Sequence, residues 1–459
     1  GADMPEILEA IHRLRAGSGS RSLFGMLRDA FGDSADYRTE AVGASGSEPV
    51  YICFLASLCS TQKLDLLLGS TGIGELSAKL SRYNGTSIGE ADQPACEKAI
   101  CNGSAVICTS LSENGLLVDL SETQQRGIGS PITESVLQGP MYAFNENLDA
   151  NTALIRQQIR SPKLKMWETK VGELSQTRIA VFYCQGAADP DLLASLKERI
   201  GNIQADGIQD SGQLLRLLVS RKKLGLFPLA MSSERPDRST ADLLRGKMVI
   251  MVNGSPFALT VPAVYTDFWH SPEDNYVNPY VAYFLLSLRF LAMFMNLFLP
   301  ALYIALTSVN VDVNRLEISL AASASREGVP YPVFVETFLM LLIIDFITEA
   351  GIRLPKTISS TVTMVGGVVL GQAIIQANIV SNLLVIIVAA TAITNFIVID
   401  YQMGLVQRIL KYFIAIGATV AGLLGIMFCF ACLVFYLSCL ESFGAPYLTS
   451  LRRKGAIQP

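Results

Sequence analysis

ILKYFIAIGATVAGLLGIMFCFACLVFYLSCL, residues Ile409–Leu440, decides the fold: apart from Lys411 it carries no charged side chain. A helix needs about 20 mainly apolar residues to cross a bilayer core, and this run exceeds that length. Working backwards, four more apolar stretches lie at Val281–Thr307, Pro332–Ile347, Ile358–Val380 and Leu383–Ile399, separated by short polar turns. Val281–Thr307 and Ile358–Val380 also reach spanning length, while Leu383–Ile399 sits near the lower limit. From Tyr280 onward there are 18 charged residues in 180, against 58 in the 279 that precede it. The expected architecture is an N-terminal region of two small α/β subdomains followed by an α-helical transmembrane bundle of four or five spans.

Before Tyr280 the chain holds 26 Lys and Arg against 32 Asp and Glu. An acidic balance argues against nucleic acid or an anionic lipid surface as the partner of this part. No charged n-region with an h-region and small-residue cleavage site precedes it, so a cytosolic placement is expected. The nine cysteines show no framework spacing, as reduced thiols would. Cys429 and Cys432 have C-x-x-C spacing, but inside an apolar run with no second ligand pair. No metal or cofactor is expected.

Local patterns divide the chain. Residues 1–48 read as an N-terminal helical segment, with an amphipathic pattern over Met4–Phe31 interrupted by Gly17-Ser-Gly-Ser20. Residues 49–125 form the first α/β subdomain, with strands at Val50–Leu58, Ser104–Thr109 and Gly115–Asp119 and a helix over Leu64–Tyr83. Residues 126–176 are linker and helix, the helix over Phe144–Gln158. The second subdomain occupies 177–279: a buried-type strand at Arg178–Cys184, a helix capped by Asp189-Pro-Asp191, and strands Lys247–Val252 and Phe257–Val261 around Asn253-Gly254. The transmembrane domain, with a short tail, is 280–459. Gly69, Gly72 and Gly74 do not make a dinucleotide fingerprint and read as turn glycines.

Several phrases recur in order: Asn151-Thr-Ala-Leu-Ile-Arg156, Glu234-Arg-Pro-Asp237, Asn253-Gly-Ser-Pro-Phe-Ala-Leu259 and Ser271-Pro-Glu-Asp274. In the apolar half come Leu299-Pro-Ala-Leu-Tyr-Ile-Ala305, Ser325-Arg-Glu-Gly-Val-Pro-Tyr-Pro332, Glu349-Ala-Gly-Ile-Arg-Leu-Pro355, Gly371-Gln-Ala373 and Ser442-Phe-Gly-Ala-Pro-Tyr447. From Gly139 to Leu451 the chain thus resembles the A-subunit family of bacterial spore germinant receptors. It departs from that pattern at Met141, where an Arg is expected, and at Asn253, where an Asp is expected. The resemblance implies a spore inner-membrane subunit that forms a homo-oligomeric, nutrient-gated channel for monovalent cations. It implies a transporter-like B subunit and a lipoprotein C subunit as partners, with membrane lipid around the spans. A related protein of the stage V sporulation A operon shares this architecture.

The membrane half offers its own candidates. Ionisable groups inside spans are expensive and face a bundle interior or water. Glu336 and Asp345 are nine residues apart, on opposite faces of one helix, with Glu349 a turn beyond Asp345. Arg289 in the first span is a possible partner for these carboxylates. Gln372 and Gln376 share a face, as do Thr391 and Asn395. Each pair reads either as an ion-path lining or as interhelical hydrogen-bonding glue. Gly367 and Gly371 form a G-x-x-x-G suited to close helix packing, within or between protomers. Five spans would place Arg353, Lys356, Arg408 and Lys411 inside; a re-entrant Pro332–Ile347 would leave four and reverse them. A non-conducting scaffold is the competing function, and a transporter would show inverted repeats, which are not seen. No enzyme is expected: His12 and His270 are the only histidines, and Ser325 has no base beside it.

Overall fold

In the computed structural model, residues 11, 22–42, 49–68, 73–82, 90–121, 129–131, 134, 139–219, 225–310 and 324–449 are described. The amphipathic pattern before Ser22, His12, Gly69, Gly72 and most of the expected linker at 126–138 lie outside them. The chain forms two compact units, one holding residues 1–224 and 230–263 and the other residues 225–229 and 264–450.

In the first unit, helix α1 (Leu23–Phe31) leads into β1 (Tyr37–Val42) and β2 (Val50–Leu55), then α2 (Thr61–Leu68), α3 (Ile73–Arg82), β3 (Glu90–Ala91), α4 (Gln93–Cys101), β4 (Ser104–Thr109) and β5 (Gly115–Asp119). The sheet runs β1-β2-β4-β5-β3, with every pair antiparallel. Val50–Leu55 is apolar on both sides because both faces are covered. Cys53 and Leu55 join Leu23, Leu27, Phe31 and Ile100 on one face, while Ile52 and Phe54 join Leu67 and Leu76 on the other.

The same plan is then repeated. After α5 (Leu148–Gln158) come β6 (Leu164–Val171), β7 (Thr177–Cys184), α6 (Pro190–Gly201), α7 (Ser211–Leu218), β8 (Met231–Ser233), α8 (Pro236–Leu244), β9 (Met248–Val252) and β10 (Ala258–Val261). The order β6-β7-β9-β10-β8 copies the first sheet position for position. Asp189 caps α6 as its sequence suggests, accepting from the Asp191 and Leu192 amides at 2.9 and 3.4 Å, with Pro190 at the first helical position. The expected start of this half at Thr177 is too late. Leu164–Val171, inside the stretch assigned to linker and helix, pairs along its whole length with Thr177–Cys184. Lys165 and Lys170 break its apolar pattern, and Lys165 is nonetheless buried, donating to the Ala30 carbonyl at 2.5 Å.

The joint between the two halves is polar. Arg156, on the last turn of α5, is 1 % exposed and gives two hydrogen bonds to Asp36 (2.9 and 2.7 Å), one to Ser34 Oγ (2.7 Å) and one to the Leu164 carbonyl (2.8 Å). Ser57 Oγ adds a bond to Asp36 at 2.9 Å. Burial pushes the Asp36 carboxyl up, but the Arg156 charge and the hydrogen bonds from Arg156, Ser34 and Ser57 outweigh it and hold the group below its ordinary value.

The second unit is helical: α9 (Pro279–Ile304) widening into a π turn at Ala305–Val309, α10 (Val333–Arg353), α11 (Lys356–Gln376), α12 (Asn382–Phe396) and α13 (Tyr401–Cys439). Among the described residues two helices, Pro279–Val309 and Tyr401–Cys439, are long and apolar enough to cross a membrane. Asn382–Phe396 is a shorter apolar helix, and the described part of α11, Gly367–Gln376, is apolar too. Two of the four or five expected passes are thus helices of spanning length among the described residues, and the stretch that decided the fold carries a break at Gly422.

α13 is not one rod. Gly422 has φ 60° and ψ −133°, a backbone state open in practice to glycine only. The helix turns back there, so that Cys429 Sγ lies 3.9 Å from the Phe413 carbonyl. In a straight helix sixteen residues span about 24 Å. The amide of Leu423, released by the turn, donates to Asn310 Oδ1 at 3.0 Å, which meets the requirement that buried backbone groups be satisfied. Gly417 and Gly425 allow the limbs 401–421 and 423–439 to touch, since a Cβ on Gly417 would meet Cys429 Sγ and the Gly425 carbonyl. The chain thus leaves the bundle at the end where it entered. There Tyr447 accepts from the Tyr265 amide (2.9 Å) and donates to the Pro228 carbonyl (2.9 Å), and Ser442 Oγ donates to the Leu229 carbonyl (2.6 Å).

Candidate functional site: polar clusters in the helical unit

Glu336 lies in the first turn of α10 and is wholly buried. One carboxylate oxygen accepts from the Ser381 amide at 2.6 Å, at the start of α12, and the other is 3.4 Å from Arg326 Nε. Ser381 Oγ accepts from the Leu384 amide at 3.3 Å and bonds the Tyr303 hydroxyl at 3.0 Å, while Ser325 Oγ accepts from the Leu383 amide at 3.4 Å. The first amides of a helix lack partners and sit at its positive dipole end. Glu336 therefore acts as a cap supplied by a neighbouring helix. Ser325 belongs to the same cap.

Asp345, on the other side of α10, meets a different helix. It accepts from Lys411 Nζ at 3.0 Å and from the Tyr412 hydroxyl at 2.6 Å. Lys411 is 4 % exposed, so its charge is sustained by this pair. The expected partnership of Arg289 with a span carboxylate does not form. Arg289 instead grips Asp274, which precedes α9, bidentately at 2.6 and 2.9 Å. Glu349 pairs with Arg353 one turn on, at 2.8 Å.

Asn395 accepts from Asn296 Nδ2 at 3.1 Å, and the same nitrogen donates to Gln407 Oε1 at 2.7 Å. Three carboxamides thus tie α9, α12 and α13. Asn296 is wholly buried, and neither it nor Gln407 was among the sequence candidates. A search for lone carboxamides within apolar runs, rather than for charges and same-face pairs, would have found Asn296. Thr391, 1 % exposed, turns its hydroxyl to the Ile387 carbonyl of its own helix at 2.8 Å.

Gln372 and Gln376 differ from all of these. Both are exposed on α11, and neither side chain makes a hydrogen bond among the described residues. Gly367 and Gly371 have nothing within 4 Å of where a Cβ would point, so among the described residues the G-x-x-x-G makes no close helix contact. Near Gly367 a cavity of about 590 Å³ opens between α10, α11, α12 and α13. Chemically, the carboxylates and Asn395 brace the bundle, and α11 carries the uncommitted polar groups. Among the described residues no group of His, Cys, Asp and Glu could hold a metal ion. His270 Nδ1 lies 2.8 Å from the Thr266 carbonyl.

The family model described as Bacillus/Clostridium GerA spore germination protein matches residues 26–455. Spore germination protein A1 of Bacillus subtilis (strain 168) is 37% identical over 352 residues, 77% of this chain and 73% of its own length. The membrane protein YfkQ of the same organism, uncharacterized by name, is 34% identical over 353 residues, 77% of this chain and 69% of its own. Among solved structures, the N-terminal domain of the A subunit of the Bacillus megaterium spore germinant receptor GerK3 aligns with TM-score 0.40 and 22% identity, covering 53% of this chain and 94% of that one. Matched along nearly its whole length, the chain belongs to the GerA family of spore germination proteins.

Proposed function

We propose that this chain is an A-type germinant-receptor subunit of the spore inner membrane, and that several copies form a nutrient-gated channel for monovalent cations. Family membership and the name of the A1 relative support the germination role, and the name of the YfkQ relative supports the membrane. In this reading α10, α11 and α12 complete a membrane bundle with α9 and the two limbs of α13. The N-terminal unit lies on the cytosolic side, and transporter-like B and lipoprotein C subunits bias a closed–open equilibrium. No enzymatic step is involved.

The observation that carries conduction is the exposed pair Gln372 and Gln376. α11 packs chiefly on α10, and the described exposed side chains beside the pair are apolar, Met364, Val368 and Val369 among them. A carboxamide turned to hydrocarbon loses its hydrogen bonds at a cost of about 2–7 kcal/mol. Facing a wet axis between copies restores them, and their dipoles replace part of an ion's hydration.

A non-conducting scaffold is the second reading, favoured by the commitment of Glu336, Asp345 and Asn395 to partners within one chain. Reconstitution of the full chain in liposomes separates the two. The channel reading expects potassium or sodium efflux from loaded vesicles that protein-free vesicles lack; tight vesicles carrying assembled oligomer favour the scaffold.

A further inference from the structure

The cavity among α10–α13 is built rather than incidental. Its walls are mainly aliphatic, with Ile344, Ile347 and Leu405 among them, and its volume of about 590 Å³ falls in the range of small-molecule sites. Glycines clear it: Gly367 and Gly404 both line it, and a Cβ at either would meet nothing within 4 Å. It opens on the outer surface of the bundle, because Ile352, Phe396 and Tyr401 of its rim are exposed.

One charge in it is unspent. Arg408 lines the cavity, and its guanidinium makes no hydrogen bond or ion pair among the described residues. Among the described side chains the bundle's other lysine and arginines are committed, Lys411 to Asp345, Arg289 to Asp274, Arg326 to Glu336 and Arg353 to Glu349. Asp400 also touches the cavity, but its carboxylate accepts from the Met403 amide at 2.8 Å and caps α13. An apolar slot open to the bilayer, with a lone guanidinium beside it, suits a molecule with an acyl chain and an anionic head. Basic pockets between membrane helices hold phosphate head groups in this way.

We propose that this cavity seats an anionic phospholipid, its acyl chain between α10 and α13 and its phosphate on Arg408. The proposal rests on the membrane placement of the helical unit. Its test is native mass spectrometry of the full chain in non-ionic detergent, titrated with phosphatidylglycerol or phosphatidylcholine. Wild-type protein is expected to retain phosphatidylglycerol preferentially. Arg408→Gln should cut that preference about fivefold, the worth of one basic contact of about 1 kcal/mol. Gly404→Leu, which fills the slot, should lower retention of both lipids, with Gly367→Leu as an independent filling variant. Equal retention of the two lipids by wild type, or an unchanged preference in Arg408→Gln, overturns the proposal, as does full retention in both filling variants. A chain that stays monodisperse without detergent would instead overturn the membrane placement.

Discussion

Replacing Gly422 by alanine tests the turn that halves the longest apolar run. A Cβ at this position would overlap Asn310 Oδ1 and lie 2.9 Å from Val309 Cγ1. Two costs follow. Holding a non-glycine residue at φ 60° and ψ −133° costs about 1–3 kcal/mol. Expelling the Asn310 side chain leaves the half-buried Leu423 amide without its partner, at about 1–3 kcal/mol. The sum is roughly 2–6 kcal/mol, read as lost thermal stability of the full chain in detergent. A double-mutant cycle with Asn310→Ala isolates the second term. Because that variant has already vacated the space and lost the bond, Gly422→Ala should cost less in it, with a coupling of about 0.5–3 kcal/mol. A Gly422→Ala loss below about 0.5 kcal/mol, or strict additivity with Asn310→Ala, would refute the hairpin.

Arg156→Met should destabilise the N-terminal unit by about 3–5 kcal/mol, since it strands the buried Asp36 carboxylate; Trp167 fluorescence during denaturant unfolding reads this out. The same site sets an acid limit. Asp36 titrates below its ordinary 3.8 when folded, so the unfolded chain takes up the proton first. Its contribution is complete above that value and is lost as pH falls through the lowered folded value. Asp36→Asn should flatten this part of a melting-temperature profile below pH 4. In the bundle, Glu336→Gln keeps an acceptor for the Ser381 amide but gives up the Arg326 ion pair, and should lose less than Glu336→Leu, which strands both that amide and Arg326 and should lose about 3–5 kcal/mol.

Much of the N-terminal unit was legible because its strands carry burial on both faces and its helices carry caps. Ser104–Thr109, Gly115–Asp119 and Asp189-Pro190 announce themselves locally, as does the strand from Val50, read to Leu58 but ending at Leu55. The duplication of the two sheets was not legible, since it lives in strand order rather than in residue identity. Leu164–Val171 was hidden by lysines, one of which is buried with a backbone partner. In the helical unit, hydropathy sees composition and not direction, so Ile409–Leu440 read as a single crossing although Gly422 reverses it. Spacing put Glu336 and Asp345 on opposite faces correctly, but their partners Ser381, Arg326 and Lys411 come from other helices. Arg408 carried no signal beyond loop charge, because its isolation is a property of what surrounds it.

The wet axis along α11 is tested most directly by chemical access during conduction. Gln376→Cys, placed in a chain with Cys432 and Cys439 changed to serine, would be reconstituted in liposomes and treated with a charged, membrane-impermeant thiol reagent while cation efflux is followed. Efflux should fall as residue 376 is labelled, and Met364→Cys, two-thirds exposed on the same helix, gives the reach of the wet surface. Efflux that persists with residue 376 fully labelled, or a thiol there that reacts only with lipid-soluble reagents, would contradict the account.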